Sequence, residues 1–338
     1  MSFDPFLAKA LDRATGELRP EPNWNEIATA AEASILEVKP LMPAVERLYE
    51  MGLQPGKSTG WSSLDEWFTV RKKELTVITG YPNHGKSCWL DNLLVHLARS
   101  ADWRMGLFSA ENLPLERYIA SLIEIYTGKP FSKGPQPRLM KDELVHAVPW
   151  LHEHFKFINP ELENRKVDHV LTVADHAVRQ YRLDAIVIDP WNELDHGRPD
   201  RLREDEYISV SLSKIRDFAR RRDVHFFIVA HPAKVNRDKN GKHPVPTLFD
   251  VKGASEWNAK ADNGICIWRN PLEPETGTDV HVQKVRFREV GKAGGGCNLQ
   301  YDRTHGRFID PNHRPTIDEL MAKQAEPFQL REPGEDDQ

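Results

Sequence analysis

"ELTVITGYPNHGKSCWLDNLLVHLARS", residues 74–100, is the stretch that decides the fold. It opens as an apolar, β-rich run, passes through "GYPNHGKS" (80–87) and leaves as an amphipathic helix. The middle fits G-x-x-x-x-G-K-[ST], a loop that cradles phosphate between a strand and a helix. Gly80 and Gly85 let the chain wrap closely around phosphate oxygens with backbone N–H groups pointing inward, and Asn83 and His84 complete the cradle. The positive end of the following helix adds to the attraction. Lys86 is expected to neutralise the β and γ phosphates, and the Ser87 hydroxyl to bind Mg²⁺. Cys88 follows at the helix start, either as a thiol of lowered pKa against the nucleotide or as an inert core thiol. The loop implies ATP, or another nucleoside or deoxynucleoside triphosphate. It does not say what hydrolysis drives.

Outward from the loop, strand and helix alternate. "RMGLFSAE" (104–111), "FKFIN" (155–159), "DAIVIDP" (184–190) and "VHFFIVAH" (224–231) read as strands, each followed or preceded by a helical stretch. These strands are continuous apolar runs, the pattern of a mainly parallel sheet covered by helices on both faces. From residue 263 the pattern changes. "NGICIW" (263–268), "VHVQKVRFREV" (280–290) and "CNLQYD" (297–302) follow one another without long helices, which predicts an antiparallel C-terminal extension of an α/β fold. The expected organisation is a helical lead over 1–50, an ATPase body over 51–315 and an acidic, disordered tail over 316–338. Within the lead, "NWNEIATAAEASILEV" (23–38) has helical spacing. Pro40 and Pro43 are read as interrupting it before a second short helix, "PAVERLYEMG" (43–52). Two helices this short need a surface to pack on, in the body or a neighbouring subunit.

Composition limits the function classes. The chain has 338 residues, 39% of them hydrophobic, enough for a full core. With 46 Lys and Arg against 51 Asp and Glu, its net charge of −5 excludes a global attraction to nucleic acid, so such binding requires a local basic patch. Cys88, Cys266 and Cys297 are too widely spaced for a zinc ribbon or disulfide framework. No apolar run reaches a membrane span and no secretion or organelle signal is read. The expected compartment is the cytoplasm of a bacterial or phage-infected cell. His146, His152 and His154 lack a partner set for a metal and are read as surface or helix residues.

Hydrolysis requires more than a cradle. Asp189 ends the run "AIVID", where a magnesium-side carboxylate belongs, and is placed ahead of Asp184 and Asp195. Glu111 ends "GLFSAE", from which it would orient or deprotonate water, or else cap the next helix. His231 ends "FFIVAH" at the same sheet edge, as a γ-phosphate sensor or a backbone-satisfied buried histidine. The segment 233–257 holds Lys234, Arg237, Lys239, Lys242 and Lys252, with Gly241 and Gly253 for close backbone approach. It is a local basic enrichment suited to tracking a nucleic-acid backbone, and it also reads as an ordinary solvated loop. "RRR" (220–222) reads as complementing a helix dipole.

In this order, "STGWSSLDEWF", "GYPNHGKS", "FSAEN", "VIDPWNEL", "VAHPAK", "DVKGASEWNAKADNGI" and "KVRF" resemble the DnaB-like replicative helicases. The closest likeness is to the helicase half of phage and Twinkle-type primase-helicases, over about residues 50–312. The resemblance implies a RecA-like ATPase that forms a ring, expected to be a hexamer, on single-stranded DNA. The family's 5′ to 3′ unwinding in replication and its primase or other replisome partners are implied with it. It further implies that Lys284 and Arg286 of "KVRF" are the basic pair, with Arg286 an arginine finger for the neighbouring subunit. Arg269 and Tyr301 would sandwich the base, and residues 25–50 would be the linker that docks on the next subunit. The primase region and the helical collar of these families have no counterpart in this sequence. Two other classes stay open: a filament-forming RecA-type recombinase, and a nucleotide-binding loader or accessory ATPase.

Overall fold

The computed structural model describes residues 32, 35–160, 165–194, 202–233, 244–270 and 273–313. The chain divides into two units, residues 1–53 and 54–338. In the first, Glu32 is helical, Ile35–Glu37 carry no regular secondary structure and a helix, α1, runs over Val38–Met51. Pro40 and Pro43 lie inside α1 and do not break it. Pro40 is its third residue, where the N–H has no intrahelical acceptor, so only Pro43 removes a helix bond. The stretch 23–34 lies, apart from Glu32, outside the described residues.

The second unit is built on a nine-stranded sheet of order β3-β2-β4-β5-β1-β6-β7-β8-β9. Its parallel part comprises β1 (Leu75–Thr79), β2 (Met105–Ser109), β3 (Phe155–Phe157), β4 (Ala185–Asp189), β5 (His225–Val229) and β6 (Asn263–Trp268). The strands β7 (Thr278–Val285), β8 (Gly295–Asp302) and β9 (Arg307–Ile309) continue it antiparallel. The helices are α2 (Ser62–Asp65), α3 (Lys86–Ala101), α4 (Leu115–Thr127), α5 (Lys141–His154), α6 (Val167–Tyr181), α7 (Glu204–Arg222) and α8 (Ala254–Lys260).

Both faces of the parallel part are covered, which explains the continuous apolar runs. Ala185, Val187, Phe227 and Val229 pack with α3, α4 and α5 on one face. Ile186, Ile188, Phe226 and Ile228 pack with α6, α7 and α8 on the other. Successive side chains of a strand alternate between the two cores. Each fully buried Phe or Ile contributes roughly 2–3 kcal/mol through the apolar area it removes from water.

Several strand boundaries differ from the sequence reading. β2 stops at Ser109, so Glu111 stands on the turn beyond it. β7 stops at Val285 because the chain turns at Phe287: Val290 N–H donates to the Phe287 carbonyl (3.0 Å) and the Val290 carbonyl accepts from Thr69 N–H (2.8 Å). β9 goes unread in the sequence, since three residues carry too little pattern. The "STGWSSLD" motif is a brace behind α3. Trp61 stacks on Trp89 at 5.8 Å and donates through Nε1 to the Phe308 carbonyl (2.9 Å). Asn92 of α3 ties the turn before β9, accepting from Phe308 N–H (3.0 Å) and donating to the Gly306 carbonyl (3.0 Å). The arginines of "RRR" fall in the last turn of α7, where Arg222 pairs with Asp175 and Arg220 faces Asp262.

Gly253 has a packing reason to be glycine. Its φ is +79°, and a Cβ there would stand 2.4 Å from Ile208 Cδ1 of α7. Gly253→Ala is expected to destabilise by about 1–3 kcal/mol, from the left-handed backbone and overpacking together. Urea unfolding of Gly253→Ala, Ile208→Ala and the double variant checks this. The double variant should show a favourable coupling of about 0.5 kcal/mol or more. Strict additivity would contradict the contact.

Candidate active site

The phosphate loop leaves β1 through a backbone conformation that would aim a side chain on residue 80 at β6. Gly80, at φ +145°, would place a Cβ 2.2 Å from the Ile267 carbonyl oxygen and 3.4 Å from Lys86 Cδ. Asn83 (φ 64°) and Gly85 (φ 90°) supply the left-handed turns that bring the chain round to α3, with Gly85 as its N-cap. Lys86 is buried at 5% exposure and its Nζ donates to the Tyr81 carbonyl (3.0 Å). Burial lowers its pKa to about 8, against the opposing pull of Asp189 and Glu111. The Ser87 hydroxyl donates to the Asp189 carboxylate. Burial raises Asp189 to about 6; the Ser87 bond and the Lys86 charge work downward, and Glu111 upward. For both members of this pair, desolvation outweighs mutual attraction.

Neighbouring strands deliver the remaining groups to the same edge. Ser109 of β2 pairs in register with Asp189 of β4, and Glu111 stands two residues further on. Glu111 is exposed, yet its charge is felt at both Lys86 and Asp189. It borders a cleft of about 420 Å³ with Ser87, Asn112, Arg117, Glu124 and Tyr301. His231 lies two residues past β5, which runs between β4 and β1. Its Nδ1 is buried and makes no hydrogen bond among the described residues. Burial, aided by the Lys86 charge, lowers its pKa to about 4, so the ring is neutral near pH 7.

Two flanking residues approach the loop from different sides. Arg269 donates from its N–H to His84 Nδ1 (3.1 Å) and from Nη2 to the Asn83 carbonyl (3.4 Å). Tyr301 rests on Phe308 at 4.9 Å and donates its hydroxyl to the Cys88 sulfur. Burial pushes the Cys88 thiol up to about 12, so of the two sequence readings the structure gives the inert thiol. Asp184 sits at the far end of β4, where it accepts from Arg104 N–H (2.7 Å). Asp195 lies outside the described residues.

Sequence reading missed a buried pair below Ser87. Tyr118 of α4 donates to Asp91 Oδ1 (2.7 Å) and in turn accepts from Ser109 at the end of β2. The one signal was spacing: Asp91 follows Ser87 by four residues, on the same helix face.

Lys284 and Arg286 are at the opposite edge of the sheet. Val285 pairs with Asn263 at the start of β6, and Asn263 pairs with Thr76 at the start of β1. The phosphate loop begins at the other end of β1, about 15 Å away at the rise of a strand. Lys284 Nζ donates to the Asn258 carbonyl, and Arg286 Nε lies 2.9 Å from buried Asp262. Of the basic segment, Lys234, Arg237, Lys239, Lys242 and Gly241 lie outside the described residues. Lys252 is exposed and pairs with Glu204 (2.7 Å), and the space beside Gly253 is taken by Ile208.

The site fits a nucleotide with a divalent cation. The cradle at Gly80 has no room for a side chain, and His231 keeps an unpaired polar atom beside Lys86. Among the described residues no cluster of three or more His, Cys, Asp or Glu could hold a metal, His146, His152 and His154 included. Ser87 and Asp189 alone suit Mg²⁺, which takes few protein ligands and keeps its waters. The His231 ring is expected to titrate near 4 by NMR; a value near 6.5 would place it in water and outside the site.

Comparisons with known proteins bear on the family and the fold. The Twinkle homolog protein, chloroplastic/mitochondrial, of Arabidopsis thaliana is 37% identical over 279 residues, covering 80% of this chain and 39% of the relative. The chain thus spans about two fifths of that relative's length. The ATPase domain of G40P superposes with a TM-score of 0.65 at 16% identity, covering 81% of this chain and 98% of that one. A DnaB-like replicative helicase, solved in work on its interactions with primase, gives 0.63 at 16% identity, covering 82% and 67%. At that identity the two structures establish the RecA-like fold alone. The DnaB-like helicase C-terminal domain family matches residues 56–310, and the chain belongs to that family.

Proposed function

We propose that this chain is an ATP-driven helicase domain that works as a ring on single-stranded DNA and separates duplex DNA in replication. The observation that carries the reading is the split between sheet edges. Lys86, Ser87, Asp189, Glu111 and His231 gather at one edge, and Arg286 lies at the other, beyond reach of its own phosphate loop. A site that needs Arg286 is completed by the next subunit. A finger supplied in this way is worth about 10³ to 10⁵ in rate and makes hydrolysis depend on the interface.

Lys86 would neutralise the β and γ phosphates, and Gly80, Asn83, His84, Gly85 and the Cys88 backbone would form the cradle. Ser87 and Asp189 would hold Mg²⁺, whose charge offsets that of the phosphates. Glu111 would orient and deprotonate the attacking water. His231, uncharged, would accept or donate a hydrogen bond at the γ-phosphate, sensing its presence. Arg269 and Tyr301, on two sides of the loop, would bracket the base. Arg286 would meet the charge that develops on the neighbour's γ-phosphate, with Lys284 beside it. Lys252 and the basic segment after His231 would follow the DNA backbone, so that phosphate sensing at His231 moves the strand. A ring of six and 5′ to 3′ movement follow the family.

The helix α1 supports a docking role for the N-terminal unit. Leu41, Val45 and Leu48 recur at helical spacing and are all exposed, an apolar stripe that requires a partner surface, here the adjacent subunit. Primase contact is proposed by analogy with the replicative helicase compared above. No described helix is long and apolar enough to cross a membrane.

Unwinding of a forked duplex with ATP tests the reading. The protein is expected to unwind, with ATP turnover stimulated by single-stranded DNA, and Lys86→Ala to lose both activities. Turnover indifferent to DNA would favour an accessory ATPase, and filaments instead of rings on DNA in electron micrographs would favour a recombinase.

A further inference from the structure

Asp262 immediately precedes β6 and is fully buried. Its Oδ2 accepts from Leu75 N–H (3.0 Å) at the start of β1. Its Oδ1 faces two guanidinium groups: Arg286 Nε at 2.9 Å, and Arg220 Nη2 of α7 at 3.6 Å. Neither meets it as an aligned hydrogen bond, and Oδ1 has no hydrogen-bond partner among the described residues. A buried carboxylate in this state is expensive unless cations stay close. Arg286 is one-third exposed, and among the described residues it makes no hydrogen bond. Its Nε side is thus drawn to a buried carboxylate while its two Nη groups remain uncommitted. This is how a planar fork is presented to an outside anion.

We infer that Asp262 is the positioning residue for Arg286: a buried anionic anchor that holds the guanidinium at the sheet edge so that its Nη groups meet the phosphate bound by the next subunit. The contact is close but poorly aligned, so it directs the arginine without locking it. Arg220 keeps a second positive charge by the same oxygen, so movement of Arg286 toward a phosphate does not leave Asp262 alone. Arg286 follows the last residue of β7, whose pairing with β6 brings Arg286 and Asp262 side by side. The sequence carries both, 24 residues apart, in "AKADNGI" and "KVRF". Glu74 and Asn263, next to Asp262, are tied to each other at 2.8 Å, and Arg71 binds Glu74 and Glu289. These neighbours are therefore committed elsewhere, leaving Asp262 as the carboxylate for Arg286.

This inference rests on Arg286 acting in trans, and the two are separable by experiment. Asp262→Asn keeps size and an acceptor for Leu75 N–H but removes the charge. Its homomeric rings are expected to lose about 10²-fold in DNA-stimulated turnover, as a displaced catalytic group does, with KM for ATP within about threefold of the parent. The decisive readout is directional. Rings that mix Asp262→Asn with Lys86→Ala subunits should recover turnover, because an intact site in the first receives an intact finger from the second. A merely structural defect would cripple the Asp262→Asn subunit's own site, and mixing would restore nothing. That outcome, alongside recovery in Arg286→Ala plus Lys86→Ala rings, would overturn the inference, as would full turnover by Asp262→Asn rings. Failure of the Arg286→Ala mixture itself would overturn the trans reading beneath it. Should Asp262→Asn not fold, Asp262→Ser, whose hydroxyl still accepts from Leu75, is expected to show the same pattern and is judged by the same outcomes.

Discussion

The Ile267 carbonyl oxygen stands where a side chain on residue 80 would have to be. Everything at the nucleotide edge depends on that approach. With only a hydrogen at position 80, β1 lies flush against β6, the loop turns back over the strand end, and α3 starts at Gly85 with Lys86 and Ser87 in its first turn. A methyl group there would force the strands apart or displace the loop, and the Lys86 side chain, also within contact distance, would move with it.

The electrostatics are those of a site built for a charge it lacks by itself. Lys86 and Asp189 are adjacent and of opposite sign, yet both shift toward their neutral forms because burial outweighs their attraction. On the proposed reading, a triphosphate with its cation would add the missing charge on both sides, negative by Lys86 and positive by Asp189. His231 is uncharged for the same reason of burial and offers a neutral hydrogen-bonding group. The opposite edge is arranged the other way. There a buried carboxylate, Asp262, stands next to more positive charge than it uses, and the surplus belongs to Arg286.

Much of this was legible in sequence, and for identifiable reasons. Strands covered on both faces must be apolar throughout, so β1, β4, β5 and β6 stood out, and Lys86 and Asp189 could be located from the ends of β1 and β4. Glu111 and His231 were found near their strands, though both lie on the turns beyond. What pattern could not supply was tertiary. The Tyr118–Asp91 bond joins two helices, and the Asp262–Arg286 contact exists only because β6 pairs with β7. Pro43 was read as a break because propensity counts the lost bond and not the turns on either side. Gly253 was read as making room for nucleic acid, whereas the space it leaves is taken by Ile208.

The central claim is that one chain carries two halves of different sites. Mixed rings of Arg286→Ala and Glu111→Gln subunits test it most directly. Each variant alone should bind nucleotide and fail to hydrolyse it. Mixed, an Arg286→Ala subunit keeps its Glu111 and can receive Arg286 from its neighbour, so DNA-stimulated hydrolysis should return in proportion to such junctions. No recovery in rings shown to contain both subunits would contradict the account and place Arg286 in the service of its own chain.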